Sequence, residues 1–266
     1  MSSRHSLDLA RNDYLSGLLA WRIWLRLGLS DIRIRYKRTI LGPLWITLSM
    51  TATFVAMGML FSAVYKTDIH QYLPYLAAGM VTWSAISGVA GDAPQIFVLA
   101  HNIISSLRLP LIVHVLRCVV RNGAIYLYNA GAALASYFIL GGELHQAHLL
   151  LLISLPLFFA TLFAGALILA VIGARFRDLG PIIAMGLQLL FFMTPIMWTS
   201  DALPNARKWW VTANPFYHLV EIVRAPMLGQ IPSVLSMLVS AACCAMLMLA
   251  SFLLFGMFRR RIPYWL

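Results

Sequence analysis

Few residues in this 266-residue chain have the type and spacing that chemistry needs. Seven histidines are present, and histidine is both the commonest metal ligand and the proton carrier of neutral pH. Only His145 and His148 stand in an H-x-x-H spacing. A catalytic zinc generally takes three protein ligands, and no third lies near them in sequence, so the pair reads as interfacial. His5, His70, His101, His114 and His218 are scattered. No G-x-S-x-G nucleophile elbow and no acid/base pair occurs. Lys37, Lys66 and Lys208 follow Tyr36, Tyr65 and Arg207, whereas a phosphate-binding G-x-x-x-x-G-K-[ST] loop needs glycine there. The chain therefore cannot hydrolyse ATP by that route, and an ATP-driven process would need a separate subunit. Cys118, Cys243 and Cys244 are too few and too apolar in setting for a disulfide framework.

The remaining chemistry is cationic. Twenty Lys+Arg against nine Asp+Glu give a net charge of +11. Charged residues are only 11% of the chain against 61% hydrophobic, and mean hydropathy is +0.81. Soluble domains carry about 25% charged residues; this chain could not cover itself in water. Nucleic-acid binding requires a soluble basic face, which this composition excludes. The chain reads as an all-α integral membrane protein.

A bilayer core takes roughly 20 apolar helical residues. Six stretches free of Asp, Glu, Lys and Arg meet that length: Thr39–Tyr65, Ile69–Gly91, Asn122–Gly142, Leu144–Ala174, Leu179–Ser200 and Ala225–Phe258. The fourth and sixth are longer than needed and should include loops, and Pro226 and Pro232 place the start of the sixth helix near Ser233. No carboxylate falls inside a window; Asp92, Glu143 and Asp178 sit at the ends. That disfavours a proton- or sodium-coupled carrier, which commonly uses an intramembrane acid, although backbone and hydroxyl ion sites exist. With the N-terminus inside, 16 basic residues lie inside and four outside, a positive-inside bias. The expectation is a multi-pass membrane protein with both termini cytoplasmic. It divides into a cytoplasmic segment at 1–38 and one six-helix transmembrane domain at 39–266.

Three segments outside the windows could act on partners. At 100° per residue, Arg22, Arg26, Arg33 and Lys37 share a stripe about 60° wide on a continuous helix. That suits an amphipathic helix lying in the headgroup layer, either as an anchor to membrane lipids or as a gate meeting an anionic lipid-linked substrate. Gly28 and Ser30 could break it. Between the second and third windows, Ala93–Leu107 is too short to span, and with Arg108, Leu109 and Pro110 it suits a docking element or a shielded loop. Outside, Asp201–Gly229 holds Trp209, Trp210, Pro215, Phe216 and Tyr217. It reads either as short re-entrant helices capping an exit or as an aromatic belt.

Together these segments resemble the membrane subunit of ATP-binding-cassette exporters of lipid-linked polysaccharides: O-antigen, capsule and teichoic-acid chains. The resemblance lies in Asp31-Ile-Arg-Ile-Arg-Tyr-Lys-Arg-Thr-Ile-Leu-Gly-Pro-Leu-Trp45, in Tyr75-Leu-Ala-Ala-Gly79 with Trp83, and in Leu107-Arg-Leu-Pro110. It continues in Ala174-Arg-Phe-Arg-Asp178, Gln188-Leu-Leu-Phe-Phe-Met-Thr-Pro195 and Asn214-Pro215. It implies a half-transporter: two copies with two cytosolic ATPase subunits that carry the ATP and Mg2+, this chain holding no cofactor. It also implies a coupling loop within 92–110, on which Ile103, Ile104, Leu107, Arg108, Leu109 and Pro110 would meet the ATPase, and external re-entrant helices in 201–229. The family usually has an aromatic residue where Leu109 stands, which bears on which ATPase fits.

A hydrophilic glycan must cross the apolar slab with its hydroxyls satisfied. Aromatic rings can carry the apolar faces of sugars, making Phe54, Tyr72, Trp83, Tyr126, Tyr128, Phe192 and Trp198 candidates for a glycan path. Arg22, Arg26, Arg33, Arg35, Lys37 and Arg38 are the candidates for attracting a lipid diphosphate. The competing readings are a drug or lipid exporter permease of the same architecture and a membrane-embedded transferase.

Overall fold

The structure is a computed structural model that describes residues 2–37, 39–107, 109–199, 204 and 208–266, with the backbone alone for 2–8 and 36. Arg38, Arg108 and most of 201–207 lie outside the described residues. All regular structure among the described residues is helical.

Two helices precede the apolar ones, α1 (Ser2–Leu19) and α2 (Trp21–Tyr36). The latter runs unbroken through Gly28 and Ser30. A turn with Gly42 at φ +56 follows, a left-handed conformation that glycine adopts without steric cost. Pro43 then opens α3 (Leu44–Tyr65). Asp68 caps α4 (Ile69–Asp92), its side chain accepting the N–H of His70 at 3.0 Å. Two short helices, α5 (Ile96–Leu99) and α6 (His101–Ser106), lead to α7 (Ile112–Ile139). Then come α8 (Leu151–Arg175) and α9 (Leu179–Met193), and next α10 (Trp209–Thr212) and α11 (Pro215–Met227). The chain closes with α12 (Val234–Phe258), capped by Ser233 accepting the N–H of Ser236, and α13 (Ile262–Trp265).

Among the described residues, four helical stretches can cross a membrane by length and composition: Leu44–Tyr65, Ile69–Leu99, Gln146–Arg175 and Val234–Phe258. The chain is therefore multi-pass. At 28 residues α7 is long enough, but it begins ten residues before the charge-free window and carries Arg117 and Arg121 in that extension. The 15-residue α9 stops at Met193, about 22 Å long against a core of about 30 Å. Windows drawn between charges overran helix ends elsewhere too: 39–43 is a turn, 144–150 ends in a 3-10 turn, and 225–227 belongs to α11.

The core gathers on α4, which is buried along most of its length and packs against α3, α7, α8, α9 and α11. By contrast α9 buries no residue, and α3 buries only Phe54, Gly58 and Ser62. The helices alternate between two ends. A basic end collects α1, α2, 92–111, 175–178 and 259–266, joined by ion pairs from Asp31 to Arg117 and from Asp13 to Arg259. The opposite end collects 66–68, 140–150, 194–199 and 208–233, where Tyr72 and Tyr75 meet 195–198.

Candidate functional site

At the opposite end α9 gives way to a non-helical stretch at 194–199. Backbone carbonyls freed from a helix must find donors where water is scarce, and here side chains supply them. Tyr75 Oη donates to the carbonyls of Pro195 and Trp198, both at 3.2 Å, and Tyr72 Oη donates to Met197. Arg224 Nη1 donates to the Pro195 carbonyl at 2.7 Å, while its Nε and Nη2 hold Glu221 Oε2 at 3.1 and 2.5 Å. The guanidinium also stacks on the Tyr75 ring, 4.1 Å from its centroid. Arg224 is only 3% exposed, so its bond to the Pro195 carbonyl is buried, while Glu221 keeps partial access to water. Asn214 ties the next segment in, donating through Nδ2 to Thr194 Oγ1 at 3.1 Å and accepting the N–H of Phe216 to start α11. Three stretches that the sequence offers separately, around Tyr75, Thr194-Pro195 and Asn214-Pro215, are thus one knot.

The basic end is built on carboxylates. Asp31 on α2 receives Arg117 through two parallel bonds of 2.7 and 2.5 Å, the strong bidentate geometry. Arg121 bridges to Asp92 at 2.6 Å, where Asn122 Nδ2 also donates at 3.0 Å. Gly28 lets α2 lie this close: a Cβ there would stand 2.9 Å from both the Arg117 carbonyl and Val120. A cavity of about 610 Å3 opens beside these pairs, lined by both carboxylates, Arg35, His114, Arg117 and Arg121.

Asp13 is the second organiser. Its side chain is wholly enclosed. Oδ1 accepts the N–H of Ile112, the first residue of α7, at 3.2 Å, and Oδ2 takes Arg259 at 2.7 Å. Burial pushes this carboxyl up from its ordinary pKa, against the pull of Arg259 and the Ile112 amide. Alongside lies a second cavity, of about 790 Å3, between α1, Ile104–Leu111 and the 259–264 segment.

A model of the ABC-2 type transporter family matches residues 24–228. The chain belongs to this family. O-antigen export system permease protein RfbA of Klebsiella pneumoniae is 26% identical over 192 residues, covering 71% of this chain and 74% of that protein. The RfbA protein of Myxococcus xanthus is 27% identical over 201 residues, 73% of this chain and 76% of its own length.

On this ABC-2 chain the expected coupling residues fall at one place. Ile103 and Ile104 lie on α6 and are partly buried, Leu107 is exposed and extended, and Leu109 and Pro110 are partly buried at the turn into α7. Arg22, Arg26, Arg33, Arg35 and Lys37 are all exposed. Gly28 and Ile32, on the other side of α2 from Arg22, Arg26, Arg33 and Lys37, are buried, so that stripe faces away from the bundle, whereas Arg35 lies on their side and lines the cavity beside Asp31. The expected path residues scatter instead. Phe54, Tyr72, Trp83 and Tyr126 are 0–6% exposed and pack inside the protomer. Phe192 is exposed, Tyr128 is 45% exposed, and Trp198 donates through Nε1 to the Phe192 carbonyl. Four of the rings therefore serve the core of the chain rather than a surface that cargo could touch. The His145 and His148 rings lie against nearby backbone: His145 Nδ1 bonds the Glu143 carbonyl, and His148 Nδ1 either accepts the N–H of His145 or donates to its carbonyl, according to its tautomer.

Sequence reasoning passed over Asp13, Asp31, Arg117, Arg121 and Arg224. Only Arg224 carried a local signal, an opposite charge three residues before it in an apolar run. Asp13 and Arg259 are 246 residues apart.

Proposed function

We propose that this chain is the permease half of an ATP-driven exporter that moves a lipid-linked O-antigen-type polysaccharide across a bacterial inner membrane. The observation that carries the reading is the family match over 24–228 together with O-antigen export permeases covering about three quarters of the chain. Six membrane crossings, with α7 and α9 as the third and fifth, bring both termini to the cytoplasmic side and set the basic end there, in accord with the positive-inside rule. Two copies pair with two cytosolic ATPase subunits that bind ATP and Mg2+. The exposed, nearly unburied faces of α3 and α9 are the surfaces available for the second copy.

The ATPase presses on α6 and the 107–110 turn. Leu109 and Pro110 pass that push into α7, whose first amide is held by Asp13. The arginines of α2 attract the substrate's diphosphate by charge-assisted hydrogen bonds, and the segment at 201–229 forms short re-entrant helices over the exit. Among the path candidates, the exposed Phe192 and Tyr128 and the half-buried Trp198 are the ones that would meet cargo.

The test is co-purification from a bacterial membrane that expresses the chain with its neighbouring genes, followed by an ATPase assay and an export assay. A stoichiometric ATPase subunit, released by Leu107→Ala/Leu109→Ala, is expected. A chain that purifies alone and works without an ATPase would overturn the reading in favour of a membrane enzyme or carrier. Export of a hydrophobic drug or lipid in place of glycan would assign the same architecture to a different cargo.

A further inference from the structure

A groove of about 250 Å3 runs between α8 and the α12–α13 corner. Its walls are Val171 and Ile172 on one side and Leu254 and Phe258 on the other, and Trp265 closes one end. Two cations stand over this apolar lining. The Arg175 guanidinium lies 5.9 Å from the ring centres of both Phe176 and Trp265, and that of Arg261 lies 5.9 Å from the Phe258 ring. Among the described residues neither arginine pairs with a carboxylate. Both are exposed.

Depth and charge say what this groove can hold. The stretch Gln146–Arg175 has 30 residues, about 45 Å of helix, longer than the hydrocarbon core and so ending among headgroups. Arg175 is its last residue. On α12 the exposed Leu249, Leu253 and Met257 recur every four residues toward the same corner, a lipid-facing stripe. An acyl chain fits an apolar slot, and stacked guanidiniums fit phosphate oxygens. Basic pockets between membrane helices bind acidic headgroups in this way.

We propose that the groove is a binding site for one anionic phospholipid of the leaflet at the basic end. Arg175 and Arg261 clamp its phosphate, and one acyl chain lies between Val171–Ile172 and Leu254–Phe258. The site faces bulk lipid and is separate from the α2 stripe, so it does not depend on the identity of the exported cargo.

The test uses the chain purified in detergent from cells that make no lipid-linked glycan. Binding of dioleoyl-phosphatidylglycerol and dioleoyl-phosphatidylcholine is compared by native mass spectrometry. The wild type should bind the glycerol lipid more tightly, and Arg175→Gln/Arg261→Gln should weaken that binding about tenfold or more. Arg260→Gln removes a neighbouring charge outside the groove and should leave the affinity unchanged. Ile172→Trp keeps both arginines but fills the slot, and it should abolish the preference; it also decides the matter if the double variant misfolds. Equal binding of the two lipids to wild type overturns the proposal. So does a double variant that matches Arg260→Gln, or an Ile172→Trp chain that binds like wild type.

Discussion

The two ends of the molecule use arginine in opposite ways. At the knot around Pro195, Arg224 is almost wholly buried and engages all three of its nitrogens, on Glu221 and on a backbone carbonyl, with its face over the Tyr75 ring. At the basic end Arg117 and Arg121 are anchored on Asp31 and Asp92, while Arg22, Arg26, Arg33 and Lys37 face outward. The first arrangement fixes a non-helical backbone where the membrane offers no donors. The second holds a scaffold by a few ion pairs and keeps the rest of its charge available to a partner. A closed network gives one shape, whereas open charge gives attraction without committing the fold.

Mutations can break this contrast, starting with the largest effect. Arg224→Leu takes the cation from Glu221 and leaves the Pro195 carbonyl with Tyr75 as its remaining donor, and should cost about 3 kcal/mol, the lower end of the penalty for removing one member of a buried pair because Glu221 keeps some water. Thermal unfolding in detergent would register it; an unchanged transition would show that the knot is dispensable. Gly28→Leu drives a side chain into Arg117 and Val120 and should cost about 1–3 kcal/mol as an overpacking strain, read as loss of a disulfide engineered between α2 and α7. Tyr75→Phe removes the hydroxyl shared by Pro195 and Trp198 and should cost about 1 kcal/mol, visible as a small shift in the same unfolding curve. Replacing Arg33, Arg35, Lys37 and Arg38 by Gln should change stability by less than about 0.5 kcal/mol, as surface changes do. Export should nevertheless fall while co-purification with the ATPase persists. Full export from that variant would remove the gating role of the stripe.

Much of the frame was legible in the sequence because membranes impose a coarse rule: apolar runs of sufficient length, bounded by charge. The rule fails where helices end for other reasons. Pro195 and the carbonyl-binding side chains around it stop α9 well short of the expected Ser200. The basic stripe on α2 was readable from helical periodicity, and the helix proves continuous since Gly28 is accommodated by the close approach of α7. For the aromatic residues, type alone does not tell a ring that packs inside from one that faces cargo. Phe54 and Tyr126 are enclosed by their own chain. The organising carboxylates were invisible for a different reason, since Asp31 meets Arg117 across 86 residues and nothing local marks either as half of a pair.

The enclosed carboxylate of Asp13 also bears on the order of synthesis. Its amide partner, Ile112, emerges 99 residues later, and its cation, Arg259, only after a further long stretch of chain. Until then the Asp13 carboxylate is satisfied by water, and enclosing it without its cation would cost that hydration, so α1 reaches its final packing late. The nascent protein completes its basic end last, when the end of α12 arrives. A chain cut off before Arg259 would present an unfinished, charge-exposed corner where a full-length one is closed. Membrane quality control would thus have a structural mark by which to tell the two apart.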